Sequence, residues 1–136
     1  MGRQWGRRNN GWFIRVKKDG TPLESSIQMQ VAEWLHYQYP DMLWTASTEG
    51  IKLPKMIALM FKLMGYCPGT PDIEIFEPKG IYHGLHLEMK SKDGTQSKEQ
   101  IKWQAKAEER GYKYAVAWNL DQAIQIINEY MRRKNG

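Results

Sequence analysis

Residues 69–90 read GTPDIEIFEPKGIYHGLHLEMK and carry the strongest strand pattern in the chain. It contains two runs, 72–76 and 81–90, in which polar and apolar residues alternate with the period of a β-strand. Between them, residues 77–80 read EPKG, which is typical of a turn. The pattern predicts two neighbouring strands of one sheet.

The second run divides its side chains between the two faces of that sheet, because successive residues of a strand point to opposite sides. One face carries Gly84, His86, Glu88 and Lys90, and the other carries Leu85, Leu87 and Met89. We expect the apolar face to pack against a helix. The polar face places a carboxylate beside an ammonium, which an ordinary solvated strand could also do.

A second carboxylate favours a chemical role for the polar face. Asp72 begins the first run, so pairing of the two strands would bring its carboxylate close to that of Glu88. Two such groups repel unless a cation lies between them, and Mg²⁺ accepts this kind of oxygen ligand. A bound Mg²⁺ can activate water and neutralise phosphate charge, while Lys90 could orient the water or stabilise an oxyanion.

The rest of the chain predicts an α/β fold with a mixed sheet flanked by helices. The predicted elements are a helix from the TPLE motif at 21–24 to Pro40, a strand at 42–46, a helix at 53–64, the strands 72–76 and 81–90, a helix at 97–110, a strand at 112–118, and a last helix capped by Asp121. Helix starts are marked by capping residues and stops by glycine or proline.

Composition limits the class of protein. A chain of 136 residues with 41% hydrophobic residues is long and apolar enough for one domain with a core. Cys67 is the only cysteine, which excludes an intramolecular disulfide and a thiolate metal cluster and fits an intracellular protein. Because the longest apolar run is far too short to span a membrane and no signal-peptide pattern is apparent, we expect no membrane association.

The net charge of +5 and the isoelectric point near 9.3 favour a polyanionic partner, nucleic acid first. We assign residues 1–20 to a basic N-terminal arm and residues 21–136 to the folded domain. The arm holds six basic residues that are candidates for DNA contacts: Arg3, Arg7, Arg8, Arg15, Lys17 and Lys18. Aromatic residues lie between them and could stack on bases, although a poorly ordered terminal arm is the simpler alternative.

The motifs GTPD at 69–72 and EMK at 88–90 resemble those of the PD-(D/E)XK nuclease superfamily, and within it the VRR-NUC (virus-type replication-repair nuclease) domains most closely. Three further features match in order: an early helical glutamate at Glu24, the sequence SKEQ ending at Gln100, and a glycine-tyrosine pair at 111–112. The resemblance covers about residues 21–132. It departs at 48–50, where TEG stands in place of an asparagine-glycine stretch.

This resemblance implies a restriction-endonuclease-like core and a divalent-metal-dependent endonuclease using Mg²⁺ or Mn²⁺. Asp72 and Glu88 would be metal ligands, and Lys90 would be the catalytic lysine. Glu24 would act on the metal directly or through water, and Gln100 would help to set up the same site. Without the resemblance, Glu24 and Gln100 are each explained as the third residue of a capping box.

Short stand-alone members of the family resemble phage enzymes that act as homodimers on branched DNA such as four-way (Holliday) junctions in the bacterial cytoplasm. This chain looks like that kind. Its helix at 53–64, rich in Met and Leu, would lie in the core or at a dimer interface.

Several alternatives stay open at this level. Glu74 could reach the metal, but a surface glutamate is the simpler reading. His86 could act as a base, but we expect a polar bystander. The whole chain could also be a nucleic-acid-binding module whose nuclease site has decayed, or a binder of single-stranded RNA.

Overall fold

The computed structural model of the chain describes residues 4–7, 13–16, 24–47 and 53–134. A two-stranded antiparallel hairpin comes first, formed by β1 (Gln4–Arg7) and β2 (Phe13–Val16). The elements that follow are α1 (Glu24–Gln38), β3 (Trp44–Ala46), α2 (Lys55–Leu63), β4 (Ile73–Ile75), β5 (Leu85–Met89), α3 (Lys98–Glu109), β6 (Lys113–Ala117) and α4 (Leu120–Met131). From α1 onward their order and type are those predicted from the sequence.

The main sheet is mixed, with four strands in the order β3-β4-β5-β6. β4 pairs antiparallel with both β3 and β5, whereas β5 and β6 run parallel and are connected through α3. The fold is therefore α/β with helices flanking a mixed sheet, which confirms the predicted class. None of the helices in the described part of the chain is long and apolar enough to cross a membrane.

The core lies on one face of this sheet. The predicted apolar trio of β5 is completely buried there, and it packs with side chains of α1, α4 and the other strands: Ile27, Val31, Leu35, Ile73, Ile75, Ala117, Ala123, Ile127 and Tyr130. Helices α1 and α4 cover this face because their apolar residues recur at helical spacing. The opposite face of β5 is left for the polar residues, and α3 covers part of it.

Two predictions need correction. Strands β3, β4 and β6 are each two residues shorter than predicted, and β5 is five residues shorter because residues 81–84 belong to a turn closed by a bridge between Lys79 and Tyr82. Asn119 caps α4 instead of Asp121, since its side chain accepts the Gln122 backbone N–H at 2.8 Å. The TPL residues of the TPLE motif and the TEG stretch lie outside the described residues.

Helix α2 is the clearest departure from expectation. It runs from Lys55 to Leu63, and none of its residues is buried. Met56, Leu63 and Met64 expose 72%, 78% and 76% of their surface. A core position for this helix, one of the two predicted alternatives, is therefore wrong.

Candidate active site

Two carboxyl groups meet on the polar face of the sheet. Ile73 lies opposite Leu87 in the antiparallel pair of β4 and β5, so Asp72, one residue earlier, lies beside Glu88. Asp72 is 7% exposed and Glu88 only 1%. The two side chains are hydrogen-bonded to each other, and Asp72 Oδ2 also accepts the backbone N–H of Met89 at 2.6 Å.

The protonation of this pair reflects its burial. Burial, together with the nearby charge of Asp72, raises the pKa of Glu88 to about 8. Burial also raises the pKa of Asp72, in spite of the Met89 hydrogen bond. Near neutral pH Glu88 therefore keeps a proton that it shares with Asp72 when no cation is bound. A divalent cation between the oxygens would take the place of that proton.

Glu88 is held from two sides by uncharged side chains. The Gln100 carboxamide donates from Nε2 to Glu88 Oε1 at 2.7 Å, and the Tyr114 hydroxyl donates to Glu88 Oε2 at 3.0 Å. Gln100 and Tyr114 are themselves buried. Since each carboxylate oxygen has a directed donor, the orientation of Glu88 is fixed before any ligand arrives.

Gln100 also closes the capping box of α3. Its Oε1 accepts the Ser97 backbone N–H at 2.8 Å, while the Ser97 hydroxyl accepts the Gln100 backbone N–H at 3.2 Å. The same carboxamide thus joins the start of the helix to Glu88. The capping role and the role at the site are carried by one side chain and do not exclude each other.

Lys90 brings the positive charge to this face. It is 7% exposed, and its Nζ lies 3.9 Å from Glu88 Oε1. Its backbone N–H donates to the Ala117 carbonyl at 2.8 Å, which ties the end of β5 to the end of β6. The ammonium is therefore held next to the carboxyl pair by the sheet itself.

Glu24, the first residue of α1, reaches the same region from the side. Its Oε1 accepts the Ser91 backbone N–H at 3.3 Å. The pKa of Asp72 is raised mainly by burial, and the negative charge of Glu24 adds to that increase. No three acidic, histidine or cysteine side chains converge on a single metal position among the residues that the structure describes. Asp72 and Glu88 are thus a two-carboxylate site, with Glu24 beside it.

The loop before Asp72 is fixed by a close approach between backbones. Gly69 has a φ of +88°, and a Cβ at this position would lie 2.5 Å from the Glu99 carbonyl oxygen in α3. Only glycine readily adopts this positive φ and also lacks the Cβ that would clash with the Glu99 carbonyl. Because the GTPD loop lies directly on the first turn of α3, Asp72 and Gln100 approach Glu88 from the same side.

The remaining candidates lie apart from the pair. Glu74 is opposite His86 in the register, two residues along the strands from the Asp72 and Glu88 pair. His86 is buried, its Nδ1 accepts the Trp103 indole N–H at 3.0 Å, and burial lowers its pKa to about 4. His86 is therefore neutral at physiological pH and engaged with α3.

Only part of the predicted basic arm lies within the residues that the structure describes. Arg7 and Arg15 lie on β1 and β2. Arg3, Arg8, Lys17 and Lys18 fall outside the described residues.

Tyr114 was not among the residues predicted from the sequence. Alternation in YKYAVAW places it on one face with residues 112 and 116, but which face that is depends on the parallel register of β6 against β5. In the structure Tyr114 is the register partner of His86, and its side chain extends along the sheet to Glu88.

No protein-family model matches this sequence, and no curated protein matches it either. Solved structures do. One, described as a VRR_NUC domain protein, is 26% identical and superposes with a TM-score of 0.68 over 82% of this chain and 90% of its own. Another, described as a VRR_NUC domain, is 18% identical, with a TM-score of 0.49 over 76% of this chain and 96% of its own.

Proposed function

Since the chain is a VRR-NUC domain, we propose that it is a divalent-metal-dependent endonuclease that hydrolyses DNA phosphodiesters, with branched DNA such as four-way junctions as substrate. The observation that carries this proposal is the buried pair Asp72 and Glu88 with Lys90 beside it. Two carboxyls at 7% and 1% exposure cost stability unless a ligand uses them.

The residues present fit a hard divalent cation. Mg²⁺ typically takes one or two protein carboxylates and fills its remaining positions with water and phosphate oxygens. Asp72 and Glu88 supply two such carboxylates, and Glu24 lies where it can bind a water of the cation. When bound, the cation lowers the pKa of a coordinated water and neutralises charge on the phosphate.

The chain's own residues do the positioning. Gln100 and Tyr114 hold both oxygens of Glu88, and Met89 holds one oxygen of Asp72. The Lys90 ammonium stands 3.9 Å from Glu88, where it can donate to the attacking water or to a phosphate oxygen. These groups are in place before substrate binds, so little reorganisation is needed during the reaction.

A homodimer is part of the proposal. Helix α2 exposes a set of large apolar side chains on a short helix: Met56, Ile57, Leu59, Met60 and Leu63. Surfaces of this kind are unusual on monomers and are typical of interfaces. A second copy of the chain, paired through α2 about a two-fold axis, would cover the exposed apolar residues of α2 in both copies. Such a dimer would present two sites, one to each of two strands of a junction.

A cleavage assay tests the proposal. An end-labelled four-way junction, with duplex, flap and single-stranded controls of the same sequence, is incubated with Mg²⁺, Mn²⁺ or EDTA. We expect cleavage with either metal, none with EDTA, and a loss of at least 100-fold in Lys90→Ala. Symmetric nicks at the junction would support a dimeric resolvase. Tight binding without cleavage in either metal would favour a binding module with a decayed site instead.

A further inference from the structure

A cavity of about 530 Å³, here called the Trp118 cavity, opens between α1, the loop after β5 and the start of α4; the acidic site below means Asp72 and Glu88 with Glu24 and Lys90. Its size is within the range of small-molecule sites, about 300 to 1,000 Å³. Trp118 and Lys92 stand at its edge, and Ile27 and Leu120 supply apolar wall. The proposed chemistry uses none of these four residues.

The cavity is joined to the acidic site through Gly94. The Trp118 indole N–H donates to the Gly94 carbonyl at 2.9 Å. A Cβ on Gly94 would lie 3.4 Å from both Glu24 Oε1 and Lys90 Cβ, so this glycine packs against two residues of the site. Trp118, at the edge of the cavity, is thus connected through Gly94 to Glu24 and Lys90.

The lining has the chemistry of a nucleotide site. Trp118 keeps 40% of its surface exposed despite its hydrogen bond, and it lines the cavity, so it is a candidate for stacking on a base. Asn119 and Gln122 use their side-chain oxygens to accept backbone N–H groups, at 2.8 Å in both cases. Their NH₂ groups are then the parts that can donate to acceptors on a base or phosphate.

Charge favours the same occupant. None of the described residues that line the cavity is acidic, and Lys92 is cationic. Next to it, and sharing Gln30 and Leu120, is a depression of about 460 Å³ that reaches Tyr37, whose surface is 89% exposed, and that also includes one acidic residue, Glu33. An aromatic side chain at each of two adjoining depressions suits a flexible strand of stacked bases better than a single small molecule.

From these observations we propose that the Trp118 cavity binds an unpaired nucleotide of a DNA strand next to the phosphate to be cut. The inference rests on the proposed function, since it assumes DNA at the acidic site. Bases in an intact duplex are already stacked and paired and cannot enter the cavity. The Trp118 cavity would thus make the enzyme select DNA whose strands are opened at a branch or flap.

The test measures binding of fluorescein-labelled oligothymidylate by anisotropy in EDTA, where no cleavage occurs. We expect Trp118→Ala to weaken binding about ten-fold, as for the loss of one stacked base. Trp118→Phe keeps an aromatic face, smaller than the indole, and loses the hydrogen bond to Gly94; it should bind within three-fold of the parent. Phe76→Ala is the matched control, because Phe76 is a similarly exposed aromatic at the far end of β4 from Asp72.

Two results would overturn the inference: binding by Trp118→Ala equal to that of the parent, or an equal loss in Trp118→Phe, which would assign the effect to the Gly94 contact. Tighter binding of oligouridylate would overturn the choice of DNA. Duplex binding should change less than two-fold in all variants. Cleavage by the parent in Mg²⁺ is scored separately, so failure of the proposed nuclease is distinguishable from failure of the Trp118 cavity.

Discussion

Strand β5 and helix α2 depart from the usual relation between polarity and burial in opposite directions. β5 and the residue after it bury two ionisable side chains, Glu88 and Lys90, on one face. α2 exposes Met and Leu side chains on a helix with no buried residue. Neither arrangement helps the isolated chain to fold.

The two regions differ in what would stabilise them: a charged ligand for the polar face of β5, and a covering apolar surface for α2. The polar face of β5 is already hydrogen-bonded, and its two carboxyls share a proton that, under the proposed function, a divalent cation would replace. The apolar residues of α2 are exposed, and in the proposed dimer a second chain would cover them. Under both proposals, each region costs the free chain stability that binding would restore.

Asp72→Asn should abolish the function of the β5 site. Asparagine keeps the shape and can still accept the Met89 N–H, but it removes one of the two charges that a cation needs. We expect cleavage to fall by about 1,000-fold or more, measured under single-turnover conditions in Mg²⁺. Junction binding in EDTA is the control and should stay within three-fold. Cleavage within ten-fold of the parent would remove Asp72 from the metal site.

Met60→Lys should break the proposed α2 interface without unfolding the chain. Met60 is 55% exposed, and lysine is an equally good helix former, so the stability of the monomer should change by less than about 0.5 kcal/mol. An unpaired charge at an interface should weaken dimerisation at least about 30-fold. Sedimentation measures this, with Ile81→Lys as a matched control at an exposed turn. A parent that sediments as one chain at micromolar concentration would contradict the dimer.

Tyr114→Phe should loosen the orientation of the Glu88 carboxyl group without removing that group. The loss of one directed hydrogen bond to a metal ligand typically costs about 10- to 100-fold in metal affinity or activity. We expect a weakening of Mn²⁺ binding near the lower end of that range. Tyr112→Phe is the matched control on the same strand edge. Equal Mn²⁺ affinity in Tyr114→Phe and the parent would show that Gln100 alone orients Glu88.

Glu88→Gln should change how stability depends on pH in EDTA. The folded pKa of Glu88 is about 8, above its ordinary value of 4.5, so the folded chain holds a proton that the unfolded chain releases. Stability from this group is fully present below pH 4.5 and is lost as the pH rises toward 8. Glutamine stays neutral, so the variant should be more stable than the parent at pH 8, by at least about 1 kcal/mol.

Urea unfolding at pH 5, 6, 7 and 8 measures that difference. The two proteins should have similar free energies of unfolding near pH 5 and diverge as the pH rises. Parallel curves over the whole range would mean that Glu88 is not held against Asp72 in solution.

The site was more predictable from the sequence than its surroundings were. Alternation along β5 and the position of Asp72 at the strand start are local patterns, and together they predict which side chains share a face. Tyr114 was missed because its contact depends on the parallel register of β6, which no local pattern encodes. The cap of α4 was misassigned because Asn119 and Asp121 are both good capping residues two positions apart.

Helix α2 shows a different limit. Its apolar residues predict burial, but a hydrophobic pattern does not say whether the covering surface comes from the same chain or another. The sequence therefore predicts that the helix needs a partner and leaves the partner open. The Trp118 cavity was not predicted for a similar reason, since its walls come from α1, α4 and a loop that are distant in sequence.

Mn²⁺ titration followed by electron paramagnetic resonance is the sharpest test of a cation site at Asp72 and Glu88, because it measures the cation without any substrate. The parent chain should bind Mn²⁺ saturably, Mg²⁺ should displace it, and Asp72→Asn should lose the binding while keeping its melting temperature in EDTA. Absence of binding in the parent, or equal binding in Asp72→Asn, would contradict a metal site formed by Asp72 and Glu88.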